Sequence, residues 1–122
     1  MSENPSSTGA AAAARDIADV AAVEVITTAA VHLMSAAAVK CGLSAEDETG
    51  TGAQYLDLDE ARKLITALAA LVTAAAPDLG AQHARSLRDG LRSLQLAFRE
   101  ASPFPDAPGD GPGEKYTGHV SR

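Results

Sequence analysis

Length, composition and charge already limit what this chain can be. It has 122 residues, 46% of them hydrophobic but only 3% aromatic, and its formal net charge is −6. This length supports one domain. An acidic balance argues against a general binder of nucleic acids or anionic membranes, because such partners are held by many cations. A single cysteine excludes an intramolecular disulfide and fits a reducing compartment. We therefore expect a soluble cytoplasmic protein.

The two ends of the chain differ in composition from its middle. Residues 1–15 are mostly Ser, Thr, Gly and Ala, and residues 102–122 carry most of the prolines and several glycines. Such segments lack the apolar surface that offsets chain entropy. The composition thus predicts disordered tails at 1–15 and 102–122 around a helical domain at 16–101. A domain this small gains stability from self-association.

The first predicted helix runs from Asp16 to Cys41. Asp16 and Asp19 are its candidate N-caps, and Gly42 after Lys40 is a typical helix stop. At about 100° per residue, one broad stripe of the helix is apolar and predicts a core face. The stripe consists of Val23, Ile26, Thr27, Ala30, Leu33, Met34, Ala37 and Cys41.

A second, narrower apolar line lies on the opposite side of the same helix. Val25, His32 and Val39 are seven residues apart and form this line. One helix with two apolar sides needs two partners, so we predict an oligomer interface at these three residues. The stretch 25–39 is shorter than the ~20 residues of a membrane span and contains a histidine, which predicts no membrane insertion.

The second predicted helix has a strong start signal. Asp57 followed by Glu60 resembles a capping box, and Pro77 is expected to end the helix. One arc of this helix is apolar and should be buried. It consists of Ala61, Leu64, Ile65, Leu68, Leu71, Val72 and Ala75. The acidic stretch from Leu43 to Tyr55 before it is predicted to be a mobile loop.

The third predicted helix spans Asp78 to about Ala101, and it should pair with the second as an antiparallel hairpin. Gly90 beside its apolar stripe favours a close helix crossing over simple helix weakening. The stripe consists of Leu79, Leu87, Leu91, Leu94 and Phe98. No segment alternates at period two, so the fold class is all-α, a small three-helix bundle.

Candidate chemical sites are weak. His32 and Cys41 fit packed or interface roles, because His32 has no carboxylate at helical spacing and Cys41 lies at a helix C-terminus. The loop 47–52 lacks the ligands of a calcium loop, and neither His83 nor His119 has a visible activating neighbour. We predict no catalytic, cofactor or metal residues, no small-molecule substrate, and therefore a non-enzymatic protein.

Four arginines of the third helix share one edge. Arg85, Arg88, Arg92 and Arg99 follow each other at spacings of three, four and seven residues. This row could contact RNA phosphates or an acidic partner. The acidic net charge and the lack of stacking aromatics favour the alternative, a solvated face whose stems cover the edge of the core.

Several stretches resemble the actinobacterial branch of the family domain of unknown function 1844. They are residues 19–26 (DVAAVEVI), 31–34 (VHLM), 57–65 (DLDEARKLI), 91–98 (LRSLQLAF) and 113–118 (GEKYTG). The resemblance implies a small helical bacterial protein with no known activity. Genes of this branch often lie near those of translation initiation factor 3 and two large-subunit ribosomal proteins, which implies an association with translation. Two functional interpretations result: self-association through the first helix, or a ribosome- or RNA-associated factor using the arginine edge.

Overall fold

The computed structural model describes residues 18–43 and 52–121 of the chain. Within these ranges it contains four α-helices, one 3-10 turn at Ala53–Tyr55 and no strand. The helices are α1 (Ala22–Lys40), α2 (Leu58–Leu79), α3 (Ala81–Ala101) and the short α4 (Glu114–Thr117). The predicted all-α fold with three main helices is confirmed. The predicted N-terminal tail at 1–15 lies outside the described residues.

Helix α1 begins later than its candidate caps suggest. Its N-cap is Ala21 in an extended conformation, and no side chain caps the first turn. Asp19 precedes the helix and does not act as its cap, while Asp16 lies outside the described residues. The helix ends as predicted. Gly42 adopts a φ of 80°, its N–H bonds to the Val39 carbonyl, and the N–H of Leu43 bonds to the Ala38 carbonyl, a Schellman stop.

The broad apolar stripe of α1 forms the contact with α2 and α3. Ala30, Ala37 and Cys41 are buried, and Val23, Ile26, Leu33 and Met34 pack against the core in half-buried positions. Alanines at the centre of this face let the helix axes approach closely, since a methyl group fills little space between them. The predicted core face of the first helix is confirmed.

Helix α2 starts where its sequence predicts and ends slightly later. The backbone N–H of Glu60 donates to Oδ1 of Asp57 at 3.2 Å, which confirms Asp57 as the N-cap. Pro77 lies inside the helix and does not end it. A proline in the last turn removes only one hydrogen bond, and the helix reaches Leu79, whose side chain is buried. The turn is Gly80, with a φ of 84°.

Helix α3 therefore begins at Ala81 and not at Asp78, and a single glycine joins it to α2. The two helices form an antiparallel hairpin: the guanidinium of Arg62, near the start of α2, lies 4.9 Å from the ring centroid of Phe98, near the end of α3. Ile65, Leu68 and Leu91 are almost fully buried between the helices. The predicted apolar faces of both helices are thus confirmed.

Gly90 lies where α3 meets α1. A Cβ atom at this position would come within 2.1 Å of the Met34 methyl carbon. The missing side chain lets Met34 lie against the backbone of α3, as the predicted close crossing requires. The connection from α1 to α2 is also tied down, because the N–H of Asp57 donates to the Lys40 carbonyl at 2.8 Å. Most of the predicted loop, residues 44–51, lies outside the described residues.

By length and composition, α1, 19 residues long, is the one described helix that could cross a membrane, with a mean hydropathy of 1.6 over its most apolar stretch. That property alone is weak evidence, because core helices of soluble proteins and signal sequences share it. In this structure one face of α1 packs along α2 and α3. The apolar character of the helix therefore serves at least one protein contact.

Candidate functional site

The face of α1 that points away from α2 and α3 is largely uncharged and open to solvent. The outer face of α1 is defined here by Val25, Thr28, Val31, His32, Ser35, Ala36 and Val39. Val25 is 45% exposed, Val31 49% and Val39 36%. A shallow groove of about 430 Å³ runs along this face. The three residues of the predicted interface thus lie together on one accessible surface.

Charged side chains stand only at the two ends of this face. Between Glu24 and Lys40 there is no Asp, Glu, Lys or Arg. Each of these two residues lies eight positions from His32, one before it and one after it. At 100° per residue they fall on opposite flanks of the outer face. The face is therefore an uncharged strip with an anion at one end and a cation at the other.

The arginine edge of α3 is divided between solvent and protein. Arg92 donates through Nη2 to the Ser121 carbonyl at 2.6 Å, and Arg99 donates through Nη1 to the Asp106 carbonyl at 3.3 Å. Arg85 is exposed, and Arg88 borders a cavity. All four lie on one edge, as their spacing predicts. Two of them, Arg92 and Arg99, are bonded to the C-terminal segment, residues 102–121.

The C-terminal segment departs from what its composition predicts. Residues 102–111 carry no helix or strand and are mostly exposed, as expected for a tail, but residues 112–114 are buried against the hairpin. Gly113, with a φ of 76°, comes so close to α2 that an added Cβ would lie 2.7 Å from the Ala69 Cβ. The Gln95 amide donates to the Pro112 carbonyl at 3.0 Å. Specific hydrogen bonds and a close glycine contact, rather than apolar area, hold this segment.

A buried carboxylate organises the end of this segment. Glu114 is 6% exposed, and its two oxygens accept hydrogen bonds from the backbone N–H of Gly111 and of Val120. Nδ1 of His119 lies 3.1 Å from Oε2 of the same carboxylate. Burial by itself raises the pKa of Glu114, but the bonds from Val120, Gly111 and His119 outweigh it, so that the pKa lies below its ordinary value. Glu114 is therefore held as an anion.

Sequence reasoning missed this constellation. Glu114 and His119 are five residues apart, a spacing that brings no two side chains together on a helix, and the pairing arises because α4 ends at Thr117 and the chain turns at Gly118, with a φ of 80°. The glycines on both sides of residues 114–117 were the only signal. Within residues 18–43 and 52–121, no three His, Cys, Asp or Glu side chains group as metal ligands would. The Asp47-to-Thr51 part of the calcium-like loop lies outside the described residues.

The chain was compared with known families, curated proteins and solved structures. A family model described as "Domain of unknown function (DUF1844)" matches residues 22–100, which is 79 of the 122 residues and spans α1 to α3. No curated protein and no solved structure matches the chain. The match is to the family as a whole, so the placement in its actinobacterial branch stays a prediction.

Proposed function

We propose that this chain, which belongs to the DUF1844 family, is a non-enzymatic, cytoplasmic interaction protein that self-associates through the outer face of α1. The observation that carries the proposal is the 15-residue uncharged stretch 25–39, whose outward side is exposed although its inward side already fills the core. Burying apolar surface contributes about 25 cal/mol per Å². Exposed apolar patches of this kind are typical of protein interfaces.

A second copy of the chain is the partner that this face suits best. The sequence on either side of His32 is nearly symmetric in character: Val25 corresponds to Val39, and Glu24 corresponds to Lys40. An antiparallel pair of α1 helices with a two-fold axis at His32 brings Val25 of one copy to the level of Val39 of the other. Two-fold symmetric interfaces use the same patch on both subunits, which this arrangement does.

Charge selects the antiparallel orientation over the parallel one. In the antiparallel pair, Glu24 of one copy and Lys40 of the other stand at the same end, so each end carries opposite charges. In a parallel pair, glutamate would meet glutamate and lysine would meet lysine. Between the ends, Thr28 corresponds to Ala36, and such small side chains allow interaxial distances of about 8–10 Å. The self-complementary ends therefore support an antiparallel homodimer.

Charge exchange tests this arrangement. We expect Glu24→Lys or Lys40→Glu alone to raise the dimer dissociation constant about 5- to 30-fold, because two-fold symmetry applies each change at both ends. The double exchange should restore the wild-type constant. Analytical ultracentrifugation at low and moderate salt measures the dissociation constants. Arg85→Glu on α3 is the matched control and should leave the dissociation constant unchanged.

Disruption of the apolar contacts is the second arm of this test. Val25→Glu with Val39→Glu places like charges at the same level of the pair and should give a monomer with unchanged helicity by circular dichroism. A wild-type protein that is monomeric at tens of micromolar would contradict self-association. A dimer that survives both the exchange and this double substitution would show that another surface forms it.

The ribosome- or RNA-associated interpretation uses the arginine edge and stays the alternative. In its favour, the side chains of Arg85 and Arg88 make no hydrogen bond or ion pair with another described residue. Against it, Arg92 and Arg99 are already bonded to the C-terminal segment. Co-sedimentation with ribosomes that disappears when all four arginines are changed to glutamate, and that weakens steeply with salt, would favour it over self-association alone.

A further inference from the structure

A cavity of about 350 Å³ opens between α2, α3 and the C-terminal segment. Its lining includes Val72 and Thr73 of α2, Leu91 of α3, and Tyr116 and Val120 of the segment. The volume lies at the lower end of the range of small-molecule sites, about 300–1,000 Å³. Because part of its wall is the segment, the cavity exists only while the segment is docked.

The cavity is lined by cations and by no acidic side chain among the described residues. Arg88 and Arg92 border it from successive turns of α3. Arg92 uses one N–H for the Ser121 carbonyl, which leaves four of the five guanidinium donors free. The side chain of Arg88 makes no hydrogen bond or ion pair with another described residue. Two guanidinium groups that face one cavity recognise an anion, and Arg does so with fixed bidentate geometry.

His119 adds a third polar group, whose ring orientation is fixed. It lines the cavity, and its Nδ1 is 3.1 Å from the buried Glu114 carboxylate. Because Nδ1 is engaged, Nε2 is the ring nitrogen left for a ligand. A carboxylate that holds an imidazole in place in this way is the device by which proteins orient a histidine toward a bound group. Glu114 is itself held in position by two backbone N–H groups.

The rest of the lining suits the uncharged part of a ligand. Val72 and Leu91 give the lining its apolar side chains, and Tyr116, which also lines the cavity, is 41% exposed. Thr73 and Thr117 also line the cavity. We propose that this cavity binds a small organic phosphate, whose phosphate group meets Arg88, Arg92 and His119 and whose organic part packs on Val72 and Leu91. The two guanidinium groups supply donors for the oxygens of a phosphate dianion, and His119 adds a polar contact of fixed orientation.

Titration of the full chain with phenyl phosphate tests the site. In ¹⁵N–¹H NMR spectra, the backbone amides of Tyr116, Thr117 and Val120 should shift and saturate together. Arg88→Ala should weaken binding about 10- to 100-fold, the loss of one hydrogen-bonded charge. Arg85→Ala is the matched control, an exposed arginine one turn earlier that does not line the cavity, and should leave the affinity unchanged.

Separate titrations resolve the two parts of the ligand. Inorganic phosphate should shift the same amides with lower affinity, and benzyl alcohol should bind still more weakly. Absence of saturable shifts at millimolar phenyl phosphate would overturn the proposal. So would an equal loss from Arg85→Ala and Arg88→Ala, since it would show phosphate attracted to the whole arginine edge, as an RNA backbone would be.

Discussion

The outer face of α1 and the C-terminal segment both flank the α2–α3 hairpin, yet they relate to water in opposite ways. The outer face of α1 is apolar and remains exposed, with Val31 at 49%. The C-terminal segment is rich in proline and glycine, yet Glu114 within it is buried. Apolar composition alone therefore does not bury a surface, and polar composition alone does not keep a segment in solvent. What decides is whether a partner of matching shape and hydrogen-bonding capacity lies opposite.

Helix α1 and the C-terminal segment both pack on the hairpin, so cavities inside the hairpin should have the largest effect on stability. Leu68→Ala or Leu94→Ala removes a buried side chain between α2 and α3, and each should lower the free energy of unfolding by ~2–5 kcal/mol. Arg85→Ala, which touches neither region, should stay within about 0.5 kcal/mol. Urea denaturation measures all three, and equal midpoints would show that the hairpin is not the shared support.

A methyl group added at Gly113 should release the C-terminal segment and leave α1 undisturbed. Gly113→Ala combines a positive φ with a Cβ placed 2.7 Å from the Ala69 Cβ and 3.4 Å from the Ile65 carbonyl oxygen. We expect the segment to leave α2, with fast hydrogen exchange at the Gly111 and Val120 amides, while amides of α1 stay protected.

Gly109→Ala is the matched control for this change. It has a φ of 89°, but nothing lies within 4 Å of the added methyl, so it carries only the backbone strain of about 1–3 kcal/mol. Exchange at Val120 that rises equally in both variants would show that strain, and not the close approach to α2, is responsible.

Acid should release the C-terminal segment more gently than the methyl group does. The pKa of Glu114 is lowered in the folded chain, so the carboxylate stabilises docking above the ordinary pKa of glutamate, and this contribution is lost as the pH falls through the lowered value. The Val120 amide signal should therefore change on acidification before the signals of α1 do.

Two variants identify the group responsible. Glu114→Gln should dock more weakly at neutral pH and lose this pH dependence. Asp106→Asn, which removes the carboxylate paired with Arg62 at 3.0 Å, should keep it. A pH response that persists in Glu114→Gln would assign the release to another carboxylate.

The sequence predicts most of the three-helix bundle because local chemistry determines it. Asp57 caps α2, Gly42 stops α1, and the apolar arcs of all three helices are buried, since each depends on residues within one or two turns. Pro77 is expected to end α2 but does not, because the helix continues to the buried Leu79. Local sequence signals predict a feature when that feature depends on residues of the same helix.

The C-terminal segment could not be predicted in the same way. Its contacts join residues distant in the chain, such as Arg62 with Asp106 and Gln95 with Pro112. Composition indicates only how much apolar area a segment can bury. This segment is instead held by a buried carboxylate and by a glycine at van der Waals distance from α2. Similarly, the sequence places four arginines on one edge but does not show that Arg92 and Arg99 bind carbonyl groups of the same chain.

The single thiol of the chain offers an internal reporter. Cys41 is buried at the end of α1, and burial raises the pKa of its thiol, so both access and thiolate formation are suppressed while α1 is packed. Its labelling rate by a thiol reagent therefore measures how often α1 separates from the hairpin, and no cysteine has to be introduced. If two copies clamp each other along their α1 helices, that rate should fall with protein concentration.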